Sequence, residues 1–475
     1  MNGYITAEIA AKKWGITVRR VQILCNEGRV CGAEKHGGVW FIPESLEKPL
    51  PMKSGVKIKK DLKVLSLFSG CGGMDLGFEG EFKVLKRAVN LKVHSDWKCK
   101  DLDKNWTCLP STRFKTVFAN DIRPDAKAAW TNYFSKKGIS PTTYCLDSIV
   151  DLVKLHRENA INIFPAHVDI VTGGFPCQDF SIAGKRQGFN SNKSHLGEAR
   201  ADDIPSVESR GQLYMWMREV ISIVQPKVFI AENVKGLTNL SDVKAIIERD
   251  FSNACNGGYV VVPAKVLHAA NYGVPQNRER IIFYGFKKTA LTPHALKALT
   301  AQEIPAEYDP YPVFTHDYNI TEAVPILNKY VTVGECLIGL PEPNESNDVS
   351  QQRHSCAKYM GKHCQGQSEV DLNGIGPTIR AEHHGNIEYR RLSIKNGGRY
   401  VDEFAAGKRE RRLTVRECAR IQSFPDDYDF IIPAMNGNKA VSASDAYKII
   451  GNAVPPLLAF NIAKRLEENW AKYFG

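Results

Sequence analysis

The sequence predicts an α/β fold, with a small helical module ahead of it and a loop-rich region towards its end. Three observations predict this. Between residues 62 and 290, short apolar runs alternate with amphipathic stretches, the pattern of a parallel sheet covered by helices on both faces. Residues 1–46 show helical spacing twice and then a hairpin signal. From 291 to 440 the alternation dissolves as Pro, Asn, Gly, His and Gln accumulate.

In chain order, "ITAEIAAKKWG" puts Ile5, Ile9, Ala10 and Trp14 on one expected helical face. Gly15 and Ile16 make the turn, and Thr17 is placed to cap the next helix. There Val18, Val21, Leu24 and Cys25 face inward, while Arg19, Arg20 and Gln22 face outward. "CGAEKHGGVWFIP" then reads as a hairpin turning at His36-Gly37-Gly38. The unit resembles the small winged helix-turn-helix domains of excisionases and MerR-type regulators. That resemblance implies DNA contact through Arg19 and Arg20; a module that docks on protein is the competing reading. Residues 47–61, "EKPLPMKSGVKIKKD", read as a linker.

Strands are expected at 63–68, 116–121, 168–174, 227–234, 259–267 and 280–286, and helices at 123–134, 212–225 and 241–251. Residues 441–475 end in a helix that returns to the sheet domain.

With 475 residues, 43% hydrophobic and 24% charged, the chain has the composition of a soluble globular protein. Lys and Arg number 63 against 52 Asp and Glu, a net +11 that favours polyanionic partners. The N-terminus lacks an apolar signal core, and no apolar run spans a bilayer, so a cytoplasmic location is expected. The 12 cysteines are irregularly spaced, without C-x-x-C, which argues against a disulfide framework. His354, Cys356, His363 and Cys364 in "HSCAKYMGKHC" are allowed zinc ligands. Their spacing fits no common module, so they are read as surface or packing residues and no metal is expected.

"LFSGCGGMDLGF" is a strand running into glycines and a helix. Gly70 and Gly72 fit a dinucleotide fingerprint, but Asp75 stands at its third position, which argues against NAD and FAD. The next strand ends in "ANDI", where Asp121 can accept both hydroxyls of a ribose. "CLDSI" offers Asp147 as an adenine partner. Either acid alone is also a common helix cap.

"GGFPCQ" sets Cys177 just past a strand end, where a thiolate can reach a bound substrate. "AENVKGL" places Glu232 at the end of another apolar strand, where burial would raise its pKa and let it act as an acid. "PQNRER" adds Arg278 and Arg280, permanent cations suited to a polarised oxygen.

Taken with "RRLTVRECARIQSFP" and "GNAVPP", these motifs resemble those of the cytosine-C5 DNA methyltransferases, in that family's order, from about residue 62 to 470. The resemblance implies a Rossmann-like, S-adenosylmethionine-dependent methyltransferase domain with a smaller target-recognition domain. It assigns Cys177 as the nucleophile on carbon 6 of a flipped-out cytosine, Glu232 to ring nitrogen 3, Arg280 to the cytosine carbonyl, and Arg278 to a phosphate or the mobile loop. It places Phe68, Gly70, Cys71, Gly72, Gly73, Asp121, Ile122, Asp147, Ser148, Pro176, Leu213 and Asn452 around the cofactor. Duplex DNA is the implied partner, met by Ser181, Lys185 and Arg186 of a mobile loop and by Thr378 and Ile379 of the recognition domain. A restriction–modification system with a separately acting endonuclease, or an orphan methylase, is expected, together with a monomeric state and autoregulation through the N-terminal module. An RNA methyltransferase of the same architecture, and a DNA-binding regulator with a secondary methylase core, are the rival readings. The insertions at 86–113 and 190–208 have no role assigned.

Overall fold

The computed structural model describes residues 3–26, 30, 33–37, 39–44, 60–158, 161–176, 213–239, 243–320, 324–381, 385–434 and 440–475. Cys177, Ser181, Lys185, Arg186, most of the 47–61 linker and the 190–208 insertion lie outside the described residues. The chain divides into two compact units, 1–60 and 61–475.

In the first unit, β1 (Tyr4–Thr6), α1 (Ala7–Trp14), α2 (Val18–Asn26), β2 (Glu34–His36) and β3 (Val39–Pro43) follow one another. The strands pair antiparallel in the order β1-β3-β2. Gly15 ends α1 at φ +62° in the left-handed region. Thr17 caps α2, its hydroxyl accepting from the Arg20 N–H at 3.3 Å. The core joins Ala7, Ala10, Ala11 and Trp14 to Val21, Leu24 and Cys25. Three expectations are corrected. Ile5 lies in β1, not on the helix; Val18, the first residue of α2, is 36% exposed; and Ile9 is 53% exposed, because α1 buries Ala7, Ala10, Ala11 and Trp14 at i, i+3, i+4 and i+7 and so turns Ile9 outward. Arg19 and Arg20 are exposed, as expected.

The second unit is built on seven strands: β4 (Leu62–Leu67), β8 (Phe114–Asn120), β9 (Tyr144–Cys145), β10 (Ile170–Gly174), β11 (Val228–Val234), β12 (Tyr259–His268) and β13 (Glu279–Lys287). Their order is β12-β13-β11-β10-β4-β8-β9. The expected all-parallel sheet is corrected to a mixed one, since β13 runs antiparallel to both β11 and β12. Only residues 269–278 join β12 to β13, too short a link for the crossover a parallel pair needs. Three small strands, β5 (Lys83–Leu85), β6 (Lys100–Asp101) and β7 (Trp106–Cys108), make a separate antiparallel sheet in the order β5-β7-β6, within and beside the 86–113 insertion.

Side chains of the large sheet alternate between two cores. Val64, Ile170, Val228, Ile230, Ile282 and Tyr284 join the first, which α3 (Gly73–Glu79), α4 (Pro124–Phe134) and the C-terminal helix cover. Leu65, Val171, Phe229, Ala231, Ile281 and Phe283 join the second, under α5 (Ile149–Glu158), α6 (Leu213–Val224) and α7 (Val243–Ser252). Beyond the sheet come α8 (Pro293–Leu299), α9 (Val333–Cys336), α10 (Val349–Gln352), α11 (Val401–Ala405), α12 (Val415–Ile421), α13 (Ala443–Asn452) and α14 (Pro456–Phe474). The last packs against α3 and returns the chain to the sheet domain. Among the described residues no helix is long and apolar enough to cross a membrane.

Candidate active site

Strand β4 ends at Leu67 and the chain enters the glycine turn. Phe68 takes φ +52° and Gly70 φ +54°. Positive φ on a bulky residue costs about 1–3 kcal/mol and persists only where its surroundings impose it. Here the Ser69 N–H donates to the Asn120 carbonyl (2.8 Å), the Gly70 N–H to Asp121 Oδ2 (3.0 Å), and the Tyr144 hydroxyl to the Gly70 carbonyl (3.0 Å).

The turn is packed behind and open in front. A Cβ at Gly72 would lie 2.6 Å from the Trp130 ring, and one at Gly73 2.2 Å from the Val454 carbonyl. At Gly70 it would meet nothing within 4 Å. Cys71 is fully buried, its thiol donating to the Ile449 carbonyl at 3.2 Å and raised by burial far above the ordinary thiol range. It shapes the turn and offers no reactive sulfur. Asp75, at the misfit third position, is buried and accepts from Ser66 Oγ (2.5 Å) and Trp130 Nε1 (2.7 Å). Burial outweighs those bonds and lifts its carboxyl to about 6.

The acids expected beside the cofactor lie past the ends of β8 and β9. Asp121 accepts from the Gly70 and Arg123 N–H groups, each at 3.0 Å, and burial raises its pKa against those bonds. Ile122 beside it is 40% exposed, an apolar side chain left in the open at a strand end. Asp147 is exposed, while the buried Ser148 hydroxyl accepts from the Val150 N–H at the start of α5. Asn120 holds this edge together, donating to the carbonyls of Cys145 (3.2 Å) and Asp147 (2.8 Å). Pro176 is half-buried, Asn452 is exposed at the end of α13, and Leu213 is 4% exposed in the second core.

The acid–cation pair forms where β10, β11 and β13 run side by side. Gly174 pairs with Glu232, and Val234 with Arg280. Arg280 Nε lies 2.6 Å from Glu232 Oε1, both side chains nearly buried. Burial raises the Glu232 pKa, and Arg280 and then Arg278 pull against it without cancelling it. Two residues missed by sequence reading complete the arrangement. A Cβ at Gly174 would stand 2.8 Å from Glu232 Oε2, so any side chain there makes the carboxylate shift. Asn233 Nδ2 donates to the Phe175 carbonyl at 3.2 Å, fastening the chain just before Cys177. The signal for Asn233 was an uncompensated polar residue in an apolar strand.

Gly174→Ala is expected to keep the fold and lower turnover by about tenfold, because the added methyl pushes the Glu232 carboxylate aside by a few tenths of an ångström. Steady-state kinetics beside a melting curve checks it.

Arg278 is corrected from a phosphate or loop contact. It is 1% exposed, and its guanidinium donates to the carbonyls of Ile379 (3.0 Å), Gly451 (2.9 Å) and Ala453 (2.8 Å). It therefore ties the approach to β13 to the recognition region and to the end of α13. Gln276, also missed, is fully buried and accepts from the Ile379 N–H at 3.0 Å, while donating to Ile421 and Gln422. Ile379 is 1% exposed and belongs to the first core, so its side chain is corrected from a DNA contact to a packing residue. The Thr378 hydroxyl donates to the Asn277 carbonyl. Arg278→Met is expected to cost about 2–4 kcal/mol, because the buried carbonyls of Ile379 and Gly451 lose their donor, while that of Ala453 keeps Gln422. A lowered urea midpoint checks it.

A glycine turn and adjoining acids at one end of a mixed seven-stranded sheet, with a buried acid–arginine pair along the same edge, define an α/β methyltransferase fold. A solved structure of the Entamoeba histolytica methyltransferase EhMeth shares this fold, at a TM-score of 0.50 and 14% identity, with 87% of this chain and 99% of that one covered. The C-5 cytosine-specific DNA methylase family matches residues 62–468. The chain is 32% identical over 429 residues to the type II methyltransferase M.BspRI of Lysinibacillus sphaericus, covering 88% of this chain and 84% of that protein. It is 28% identical over 418 residues to the type II methyltransferase M.NgoPII of Neisseria gonorrhoeae, covering 86% and 96%. The chain belongs to the C-5 cytosine-specific DNA methylase family. It is a DNA cytosine-5-methyltransferase that uses S-adenosylmethionine as methyl donor.

Proposed function

We propose that Cys177 carries the reaction by adding its thiolate to carbon 6 of a cytosine swung out of duplex DNA. Carbon 5 of a neutral cytosine is a poor nucleophile, and the addition makes it enamine-like. As the sulfur–carbon bond forms, the ring's 5,6 electrons shift and charge builds at nitrogen 3 and the carbonyl oxygen. Glu232 donates its proton or a hydrogen bond to nitrogen 3, and Arg280 holds the oxygen. After methylation, loss of the carbon 5 proton and departure of the Cys177 sulfur restore the ring. The observation that carries this reading is the Arg280–Glu232 pair at 2.6 Å beside Gly174, with Asn233 fastening the backbone that leads to Cys177. The target atom is out of reach inside a duplex, so the base is flipped.

The residues fit the donor. The open face at Gly70, the exposed apolar Ile122 and the carboxylates of Asp121 and Asp147 suit a ligand with an adenine ring and a ribose. Phe68, Gly72, Gly73, Ser148, Pro176, Leu213 and Asn452 are assigned to the surroundings of that ligand. When bound, S-adenosylmethionine supplies an electrophilic methyl group; the protein binds it, excludes water and sets the cytosine beside it.

Ser181, Lys185 and Arg186 are assigned to DNA phosphates, and Thr378 to the recognition segment. The names of the type II relatives favour a place in a restriction–modification system; a separate endonuclease and a monomeric methylase are part of the same proposal. The N-terminal unit, with Arg19 and Arg20 exposed on α2, is assigned to a second DNA contact of regulatory use. Removing residues 1–60 is expected to leave methylation within about twofold while abolishing any footprint upstream of the protein's own gene; an unchanged footprint would sink that assignment. Incubation with duplex DNA and tRNA side by side tests the substrate, with methyl incorporation expected in DNA alone.

A further inference from the structure

The 86–113 insertion meets α14 at a cluster the reaction does not use. His94 and Asp96 of the insertion and Glu468 of α14 each offer one ligand atom, and these atoms lie within 4.8 Å of one another. His94 is only 9% exposed. Its Nε2 is shut from solvent and, among the described residues, has no hydrogen-bond partner. The imidazole lies flat on Trp97, with centroids 4.0 Å apart and planes 8° from parallel. Trp97 Nε1 in turn donates to Glu468 Oε1 at 3.3 Å, so the ring plane is fixed against α14.

Asp96 and Glu468 are like charges side by side, both exposed. The nearby cations of α14 make their direct contacts elsewhere. Lys464 pairs with Glu467 at 2.8 Å, and Arg465 donates to the carbonyls of Asp309 and Ala306.

We propose that His94, Asp96 and Glu468 form a binding site for a divalent first-row transition ion, with zinc the best match. One imidazole and two carboxylates are established zinc donors, and water completes the fourth position. Zinc–nitrogen and zinc–oxygen bonds of about 2.0–2.2 Å set tetrahedral donors roughly 3.4 Å apart. The exposed carboxylates close that difference, and the ion relieves their repulsion while giving the buried imidazole a partner. Its effect is to staple the insertion to the last helix.

The test is calorimetric titration of the full-length, chelator-stripped protein with zinc chloride, beside His94→Ala and the double variant Asp96→Asn/Glu468→Gln. The double variant changes only exposed groups, and its metal-free melting curve confirms that it folds. The expected result is one saturable zinc per chain in this site, with affinity falling more than about tenfold in either variant. Cobalt substitution separates the site from the cysteines, since an imidazole–carboxylate site gives no thiolate charge-transfer band. Identical isotherms for the wild type and the double variant, or a cobalt spectrum dominated by thiolate charge transfer and unchanged in that variant, would overturn the proposal.

Discussion

Cys177→Ser is expected to lose methyl transfer by on the order of a thousandfold or more while still binding duplex DNA. The serine oxygen is nearly isosteric with sulfur but holds its proton at neutral pH, so the ring addition loses its nucleophile. The acid pair is untouched, because Glu232 and Arg280 sit on β11 and β13 and are held by strand pairing. Binding and chemistry should therefore separate: gel-shift affinity within a few-fold of wild type, methyl incorporation at background. Comparable turnover by the serine variant would remove the covalent step from the proposal.

Glu232→Gln is expected to lower turnover by about 10²- to 10⁴-fold, the usual range for removing a general acid. The amide keeps the shape beside Gly174 and can still offer a hydrogen bond, but it has no proton to give. The pH profile carries a second signature. Burial raises the Glu232 pKa, so the protonated form is lost as pH climbs through that raised value. The alkaline limb of turnover should fall there in the wild type and flatten in the variant. Stability follows the same sign. The folded carboxyl holds its proton more tightly than the unfolded one, so its contribution is full below the unfolded pKa and is lost as pH rises through the folded pKa. Urea midpoints across that window should converge less steeply for the glutamine variant.

Much of this architecture was legible in the residues. The six expected strands and three expected helices of the sheet domain occur with ends shifted by a few residues, because apolar runs and amphipathic spacing are set by burial itself. The reversal of β13 was not legible. A buried strand has the same apolar run whichever way it points, and only the short 269–278 link betrays its direction. Ile9 misled for a related reason: apolar identity counts less than position on an alanine-rich stripe. Arg278 and Arg280 look equivalent in "PQNRER", yet Arg278 precedes β13 and Arg280 lies within it. One turns into the junction of three chain segments and the other meets Glu232. Gly174 and Gln276 were invisible because their importance lies in what approaches them across the fold.

The most direct measurement is a trap. Duplex DNA that the protein methylates is remade with 5-fluorocytosine at the target position and incubated with the protein and S-adenosylmethionine. Fluorine cannot leave as the carbon 5 proton does, so the sulfur–carbon 6 bond should survive denaturation, and peptide mapping should place it at Cys177. Recovery of uncross-linked protein from every DNA that it demonstrably methylates, or a cross-link at any other residue, would contradict the account.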